Sequence, residues 1–463
     1  MRLCWKNAAS LFIAAKARNT VMKRSAYFLT RWVSLTLLIC LWLPVKEASS
    51  QVDTGHPESA TARAERDPGT PSVGTESGYH HAGIEGPASV GAELRHADEI
   101  KESSFRLTGI DKALNPWYDF KKRVNDKVGL QFGIHYAALY QGATSSLGEQ
   151  QAASGKLDIS MQWTLLGRKT GYAGTLVGKV EYRHRLGTQI PPSELAQELG
   201  ALVTTAYSYS DWGLGVPVLC WRQHLLTNRV QVAVGKIDPT DFFDQMKLAT
   251  PQTGFLNGFF QVSPTIAFPD QGLGAVAGGM PTDQLYVLAG VSDANGDPTR
   301  AGFDTFFEDS EYFSAAEVGY FSSLEQRYYD NIHVTAWHVD ERETAKTPEG
   351  WGVSASVSWL LGDRWLPFLR GGYSDGEAAP LQGAVSAGFG IRFRSHDVFG
   401  VGLGWGRPSD RTLNDEYVAE LFYNLQLTQR LAITPDVQVI VEPPLNPNED
   451  VIGVFGIRGR LSF

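Results

Sequence analysis

An all-β fold is what this sequence predicts: an up-and-down antiparallel β-barrel of about 16 strands crossing a membrane, preceded by a short N-terminal helix. Three observations predict it. From Val128 to the end, apolar and polar side chains alternate with a period of two. The connections between the alternating stretches are short and long by turns. The chain also stops on such a stretch, "VIGVFGIRGRLSF", where Val451, Gly453, Phe455, Ile457, Gly459, Leu461 and Phe463 oppose Gly456, Arg458, Arg460 and Ser462.

Residues 1–50 read as a signal peptide. The apolar stretch "WVSLTLLICLWLP" lies behind Lys23, Arg24 and Arg31 and is too short and too early to span a bilayer. Ala48-Ser49-Ser50 offers the small residues that a signal peptidase reads, which places cleavage after Ser50; a start at Met22 would give a leader of ordinary length. Cys40 follows "LLI", which does not suit a lipoprotein. Cys4 and Cys40 fall in the leader, so Cys220 is left alone and the mature chain has no internal disulfide. Export without disulfides fits a bacterial envelope protein. The mature chain carries 33 basic and 49 acidic residues, a net of −16, which argues against a nucleic-acid partner.

Residues 51–105 are rich in Gly, Pro, Ala, Ser, His and Glu and poor in aromatics. They predict a disordered periplasmic linker. His80-His81 lies within it, and no neighbouring side chain completes a metal-ligand set. Order begins with the barrel domain, 106–463. In "DKALNPWYDFKKRVNDK", Asn115 can cap, Pro116 suits a first helical turn, and Trp117, Phe120 and Val124 share one face. A second helical turn or two is expected in "PPSELAQELG".

Strands are predicted near 128–141, 154–168, 171–185, 213–226, 228–238, 272–280, 283–293, 311–322, 328–342, 350–361, 364–376, 381–394, 396–408, 415–428, 430–442 and 450–463. Tight turns such as "GRKTG", "LTNR", "MPT", "GDR", "RSH" and "TQR" join them at one end, and the long loops lie at the other. An even strand number puts both chain ends on the periplasmic side. In "AVSAGFGIRFRSH", Val385, Ala387, Phe389, Ile391 and Phe393 oppose Ser386, Gly388, Gly390, Arg392 and Arg394. Charges at every second position of a strand need water on that side. Trp163, Tyr172, Trp359, Trp365, Tyr373, Trp405 and Tyr417 recur toward strand ends as an aromatic girdle does. A soluble multi-sheet protein would alternate too, but it explains neither the loop asymmetry nor the terminal Phe463.

No catalytic constellation stands out: there is no HExxH, P-loop, GxSxG or paired CxxC, and nothing calls for a cofactor. His333 and His338 are five apart and face opposite sides of a strand. The glycines of "GVGLGWG" read as a smooth strand face rather than a nucleotide loop. An enzyme whose groups sit on separate strands, and a barrel that only tethers, leave no local signature and stay as remote alternatives. A pore needs a lining and a constriction. The constriction would come from the long loop Pro239 to Gln271 folded inward, which carries Asp241 and Asp244, with Lys236 and Asp238 at its root. By parity the wall offers Lys179, Glu181, Arg183, Arg185, Glu317, Arg370, Arg392, Arg394, Arg458 and Arg460. Arginine forks suit paired hydroxyls, but the same groups could be structural ion pairs.

Several segments resemble the carbohydrate-selective porins of the OprB type. They are "NPWYDF", "VGKIDPTDFFDQ", "TGFLNGFFQVSPTIAFPDQGLG", "LYVLAGVSDANGDPT", "FFEDSEYFSAAEVGYF" and the last strand, spanning about Asp111 to Phe463. The resemblance implies a 16-stranded barrel in the outer membrane of a Gram-negative bacterium, admitting glucose and other small sugars by passive diffusion. A general diffusion porin without sugar preference is the alternative. Expected partners are the sugars, outer-membrane lipid and lipopolysaccharide, and the barrel-assembly machinery, for which Phe463 would be the sorting signal. An apolar outer face would serve a homotrimer contact as well as it serves lipid.

Overall fold

The computed structural model describes residues 84–99, 101–105, 108–168, 170–324, 326–394 and 396–463. The expected signal peptide and the part of the expected linker up to residue 83 lie outside them. The strands are β1 (Leu130–Ala143), β2 (Gln151–Leu166), β3 (Gly174–Arg185), β4 (Gly213–Leu225), β5 (Val230–Ile237), β6 (Gly272–Gly279), β7 (Leu285–Asp293) and β8 (Tyr312–Phe321). The second half comprises β9 (Asn331–Val339), β10 (Gly350–Ser358), β11 (Trp365–Asp375), β12 (Leu381–Arg392), β13 (Val398–Pro408), β14 (Glu416–Gln426), β15 (Leu431–Val441) and β16 (Val451–Ser462). Each pairs antiparallel with its sequence neighbours, and β16 closes on β1 as a full barrel. At that seam the Phe463 N–H donates to Ile134 O at 2.9 Å, and the Ile134 N–H donates back to Phe463 O at 3.0 Å.

The barrel is inside out relative to a soluble protein. On β16, Ile457 is 51% exposed and Phe455 56%, whereas Arg458 is fully buried. On β8 the outward Val318 is 51% exposed while the inward Glu317 is 4% exposed. An apolar outer wall around a charged interior is stable only in lipid. No helix among the described residues is long and apolar enough to cross a membrane; the crossing is made by strands.

Part of the expected linker is ordered. A helix, α1 (Val90–Asp98), forms where disorder was predicted, with the Ser89 hydroxyl accepting the Ala92 N–H at 3.4 Å. Val90, Leu94 and Ala97 are buried at helical spacing. The helix lies inside the barrel, where Leu94 sits 3.0 Å from the position a Cβ on Gly133 would take. The barrel lumen supplies the apolar cover and the counter-charges that the segment lacks on its own.

The next helix, α2 (Thr108–Val128), starts upstream of the expected cap, so Asn115 and Pro116 lie within it. Pro116 forgoes the bond its N–H would have made to the carbonyl four residues back. Trp117 and Phe120 place their rings 5.6 and 6.2 Å from Phe132, which shares the outward parity of Tyr140 on β1. The helix expected in the loop after β3 is α3 (Pro192–Leu199), ended by Gly200 at φ 75°.

The loop from Asp238 to Gln271 folds inward and brings its own apolar core. Met246, Leu248, Phe255, Phe259 and Phe260 pack against Leu366, Phe368, Val418 and Phe422 of the wall. Phe255 and Phe422 meet edge to face at 4.9 Å. The alternating glycines of β13 make this fit possible. A Cβ on Gly402 would lie 2.7 Å from Phe260, and one on Gly404 2.8 Å from Phe259. Each phenylalanine removed from water in this way contributes about 1.5–3 kcal/mol.

Candidate functional site: the charged lumen

The inward loop is pinned by buried charges. Asp244, fully buried and left-handed at φ 57°, accepts the Ser263 N–H at 2.6 Å and the Ser356 hydroxyl at 3.2 Å. Arg370 Nε lies 3.3 Å and His333 Nε2 3.4 Å from its Oδ1. Burial alone would push this carboxyl up, but Arg370 and His333 more than offset that and hold it below the usual range. Glu317 accepts the Asp244 N–H at 2.7 Å, the Tyr286 hydroxyl at 2.8 Å and the Thr335 hydroxyl at 2.6 Å. Arg458 donates to the carbonyls of Pro251 (2.6 Å) and Gly254 (3.0 Å). Glu420 accepts the N–H groups of Leu256 and Asn257 at 2.6 and 2.9 Å. The bonds to the N–H groups of Asp244, Leu256, Asn257 and Ser263 and to the carbonyls of Pro251 and Gly254 satisfy loop backbone that an apolar interior would leave unpaired.

On the opposite wall, β2 and β3 carry a ladder of alternating sign. Glu181 takes Lys156 at 3.1 Å, Lys179 at 3.2 Å and Arg183 at 2.6 Å. The segment carrying α1 completes it. Glu93 accepts from Lys179 at 2.9 Å, from Gln252 of the inward loop at 2.6 Å and from the Ser160 hydroxyl at 3.2 Å. Glu85 pairs with Arg222 at 2.6 Å, and the Gly86 N–H donates to the Asp241 carbonyl. The N-terminal segment and the inward loop are therefore joined to each other as well as to the wall.

Toward the long-loop rim the wall runs from the buried Arg183 to the exposed Arg185 and Asp270. Arg183 is clamped by Glu181 and lies over the Trp212 ring at 4.7 Å, with Nη1 donating to the Ser210 hydroxyl at 3.2 Å. Arg185 is exposed and pairs with Asp211 at 2.8 Å. Asp270 is exposed, and its carboxylate interacts electrostatically with Arg183, Asp238 and Arg342. Tyr207, 45% exposed, lies within reach of the same carboxylate's charge.

The sequence parity places Lys179, Glu181, Arg183, Glu317, Arg370, Arg458 and Arg460 inside, as expected, but most of them end in ion pairs or on backbone carbonyls. Lys236 donates to the Asp297 carbonyl at 2.7 Å, and Asp238 caps the turn that follows it through the Thr240 N–H. Asp241 meets the N-terminal segment through its carbonyl. Arg392 and Arg394 stand at the rim bearing the chain ends. Arg392 Nε donates to the Asp363 carbonyl at 3.1 Å, and Arg394 donates to Ser104 at 3.2 Å. Neither reaches the inward loop, because the strand has already run out to its turn there. Tyr207, Trp212, Asp270, Glu85 and Glu93 escaped sequence reasoning. The first three sit in loops without periodicity; the last two sit in a segment whose partners are 86 and 137 residues away. The structure also gathers three potential metal ligands that the sequence did not suggest, His96, Glu99 and His396, whose ligand atoms lie within 4.8 Å of one another.

Comparison with known proteins agrees with this architecture. Residues 298–463 match the family described as carbohydrate-selective porin, OprB family. Porin AaxA of Chlamydia felis (strain Fe/C-56) is 21% identical over 360 residues, covering 74% of this chain and 80% of that protein. Porin AaxA of Chlamydia pneumoniae is 21% identical over 416 residues, covering 80% and 91%. The high pH structure of Pseudomonas putida OprB superposes with a TM-score of 0.58 at 14% identity, covering 75% of this chain and 97% of that one, which speaks for the fold.

Proposed function

We propose, for a chain that is an outer-membrane β-barrel porin and a channel rather than an enzyme, that its solutes are carbohydrates. In this reading glucose and other small sugars diffuse passively into the periplasm. The observation that carries the reading is the cluster at the long-loop rim: the exposed Tyr207 ring and Asp270 carboxylate, beside Arg183 held over Trp212. An aromatic face can stack on the apolar face of a pyranose, while a carboxylate and a guanidinium fork bind neighbouring hydroxyls. Mixed signs at that point favour polar neutral solutes over either kind of ion. The similarity to carbohydrate-selective porins supports the same solute class.

Single-channel current in planar bilayers tests it, titrated with glucose, a disaccharide and a non-sugar control of similar size. Saturable block by the sugars and not by the control is expected, and Tyr207→Ala or Asp270→Asn should weaken that block. A current indifferent to all three would establish a general diffusion porin instead.

A further inference from the structure

The rim that bears the chain ends holds a cluster of cations with too few partners. After α1 the chain crosses under the turns of the wall. Gln429 Oε1 accepts the Lys101 N–H at 2.8 Å, and its amide donates to the Lys101 carbonyl. Ser104 and Phe105 donate their N–H groups to the carbonyls of Gln426 and Leu427. This strapping turns Lys101 inward, where it is 2% exposed and its Nζ has no hydrogen-bond partner. Arg460, 5% exposed, donates from Nη2 to His96 Nε2 at 2.8 Å and leaves its buried Nε unpartnered. His396, 8% exposed, stands with its ring centroid 5.6 Å from that of His96.

The nearby carboxylates are already engaged. Asp98 is taken by Lys121 at 2.6 Å. Glu99 is 55% exposed along its side chain and lies 3.2 Å from His396 Nε2, so its charge reaches Lys101 from a solvent-exposed position without a hydrogen bond to Nζ. A buried ammonium without an acceptor forfeits its hydration with nothing in return. In keeping with that, burial first, then the charges of Arg460 and Arg430, bring the Lys101 ammonium down to about 7.

Two kinds of ligand answer such a site. The His96, Glu99 and His396 spacing suits a divalent cation. Charge and hydrogen bonding oppose one. Arg460 donates to His96 Nε2, which leaves the proton of the neutral ring on Nδ1, the nitrogen nearer Glu99. The charges of Arg460, Lys101 and Lys247 also fall on His96. An oxyanion meets the opposite situation: unspent donors on Lys101 Nζ and Arg460 Nε, in surroundings of positive charge.

We propose that Lys101 and Arg460, flanked by His96 and His396, form a binding site for a phosphate group, either inorganic phosphate or the phosphodiester of a phospholipid head group. The bound anion joins the N-terminal segment to β16 and the turn after β12, and it is the keystone of that contact.

Thermal unfolding of the purified, untagged protein tests this with inorganic phosphate titrated against chloride at equal ionic strength. Native mass spectrometry of the same preparation is run for retained phospholipid. A saturable rise in Tm with phosphate, lost in Lys101→Met and in Arg460→Gln, supports the site with the free anion as ligand. No phosphate effect, but one phospholipid retained by the wild type and lost by Lys101→Met, supports it with the head group as ligand. Lys101→Met removes only a buried charge, so it serves if Arg460→Gln does not fold. The absence of both a phosphate effect and a retained phospholipid overturns the proposal. So does a Zn²⁺-dependent rise in Tm that His396→Ala abolishes while phosphate has no effect.

Discussion

Replacing Asp244 by Asn tests whether the inward loop is held by charge. Asn tolerates the left-handed backbone at φ 57°, so the substitution removes the charge with little backbone strain. It leaves Arg370, 1% exposed, without the carboxylate 3.3 Å from its Nε. Breaking one side of a buried pair costs about 3–5 kcal/mol. The charge of Glu317 still reaches Arg370, which places the expected loss at the lower end, about 3 kcal/mol. At 1.4 kcal/mol per tenfold, the docked-to-undocked ratio of the loop should fall by about two decades.

Single-channel recordings should then show added open-channel noise and larger excursions. Limited proteolysis should cut within 238–271 where the wild type resists. The double variant Asp244→Asn with Arg370→Met removes the orphaned cation and should recover part of the loss, a coupling that additive effects cannot produce. A variant Asp244→Asn as quiet and as protease-resistant as the wild type, or a double variant worse than the sum of the singles, would refute the pinning argument.

Three further outcomes follow from the same geometry. Gly404→Leu puts a side chain where Phe259 already lies 2.8 Å from the Cβ position, so it should cost about 1–3 kcal/mol by overpacking and expose the loop to protease while the barrel still forms. Glu93 sits below the usual carboxylate range because Lys179 and Lys156 together outweigh its burial; its hold on the segment is therefore present above the ordinary carboxylate pKa and lost as pH falls through the depressed value. Conductance of the wild type should rise at acid pH, and Glu93→Gln should show that rise already at neutral pH. Arg183→Ala should weaken sugar block severalfold, whereas Arg392→Ala, which loses only a turn carbonyl, should leave it unchanged in the same bilayer titration.

The wall was legible because each of its strands is read by two solvents at once. Lipid outside and polar groups inside force a strict two-residue period, so the expected 213–226 and 350–361 lie within three residues of Gly213–Leu225 and Gly350–Ser358. Parity also told which charges face inward. It could not tell their partners, since pairing depends on what else enters the lumen. The segment around α1 entered unannounced. Its composition is that of a linker, and its order depends on the lumen, which covers Val90, Leu94 and Ala97 and supplies Lys179 and Arg222 to its carboxylates. A local signal was nonetheless present: Ser89 before Val90, Leu94 and Ala97, the cap and the i, i+4, i+7 spacing of a short amphipathic helix. The rim cluster of Tyr207, Trp212 and Asp270 had no such signal, because aperiodic loops are placed by the scaffold beneath them.

The apolar core inside a charged barrel also follows from these constraints. A loop of 34 residues, Asp238 to Gln271, cannot hang in a polar channel by its few side-chain bonds alone, since ordering each residue costs about 1–2 kcal/mol of backbone entropy. It therefore buries phenylalanines, and they need a wall without side chains in their way. β13 provides one with glycine at 402, 404 and 406, each inward and buried. That choice fixes the remaining geography. The loop occupies the β11–β14 side of the lumen, so the accessible charges are left on the β3–β5 side. There the exposed Arg185 pairs with Asp211 and the exposed Asp270 faces the charge of the buried Arg183 at the long-loop rim, while Lys179, deeper along the same strand, is covered by Glu93. The ion pairs of Glu93 with Lys179 and of Glu85 with Arg222 are thus contacts by which the N-terminal segment covers the lower half of that wall.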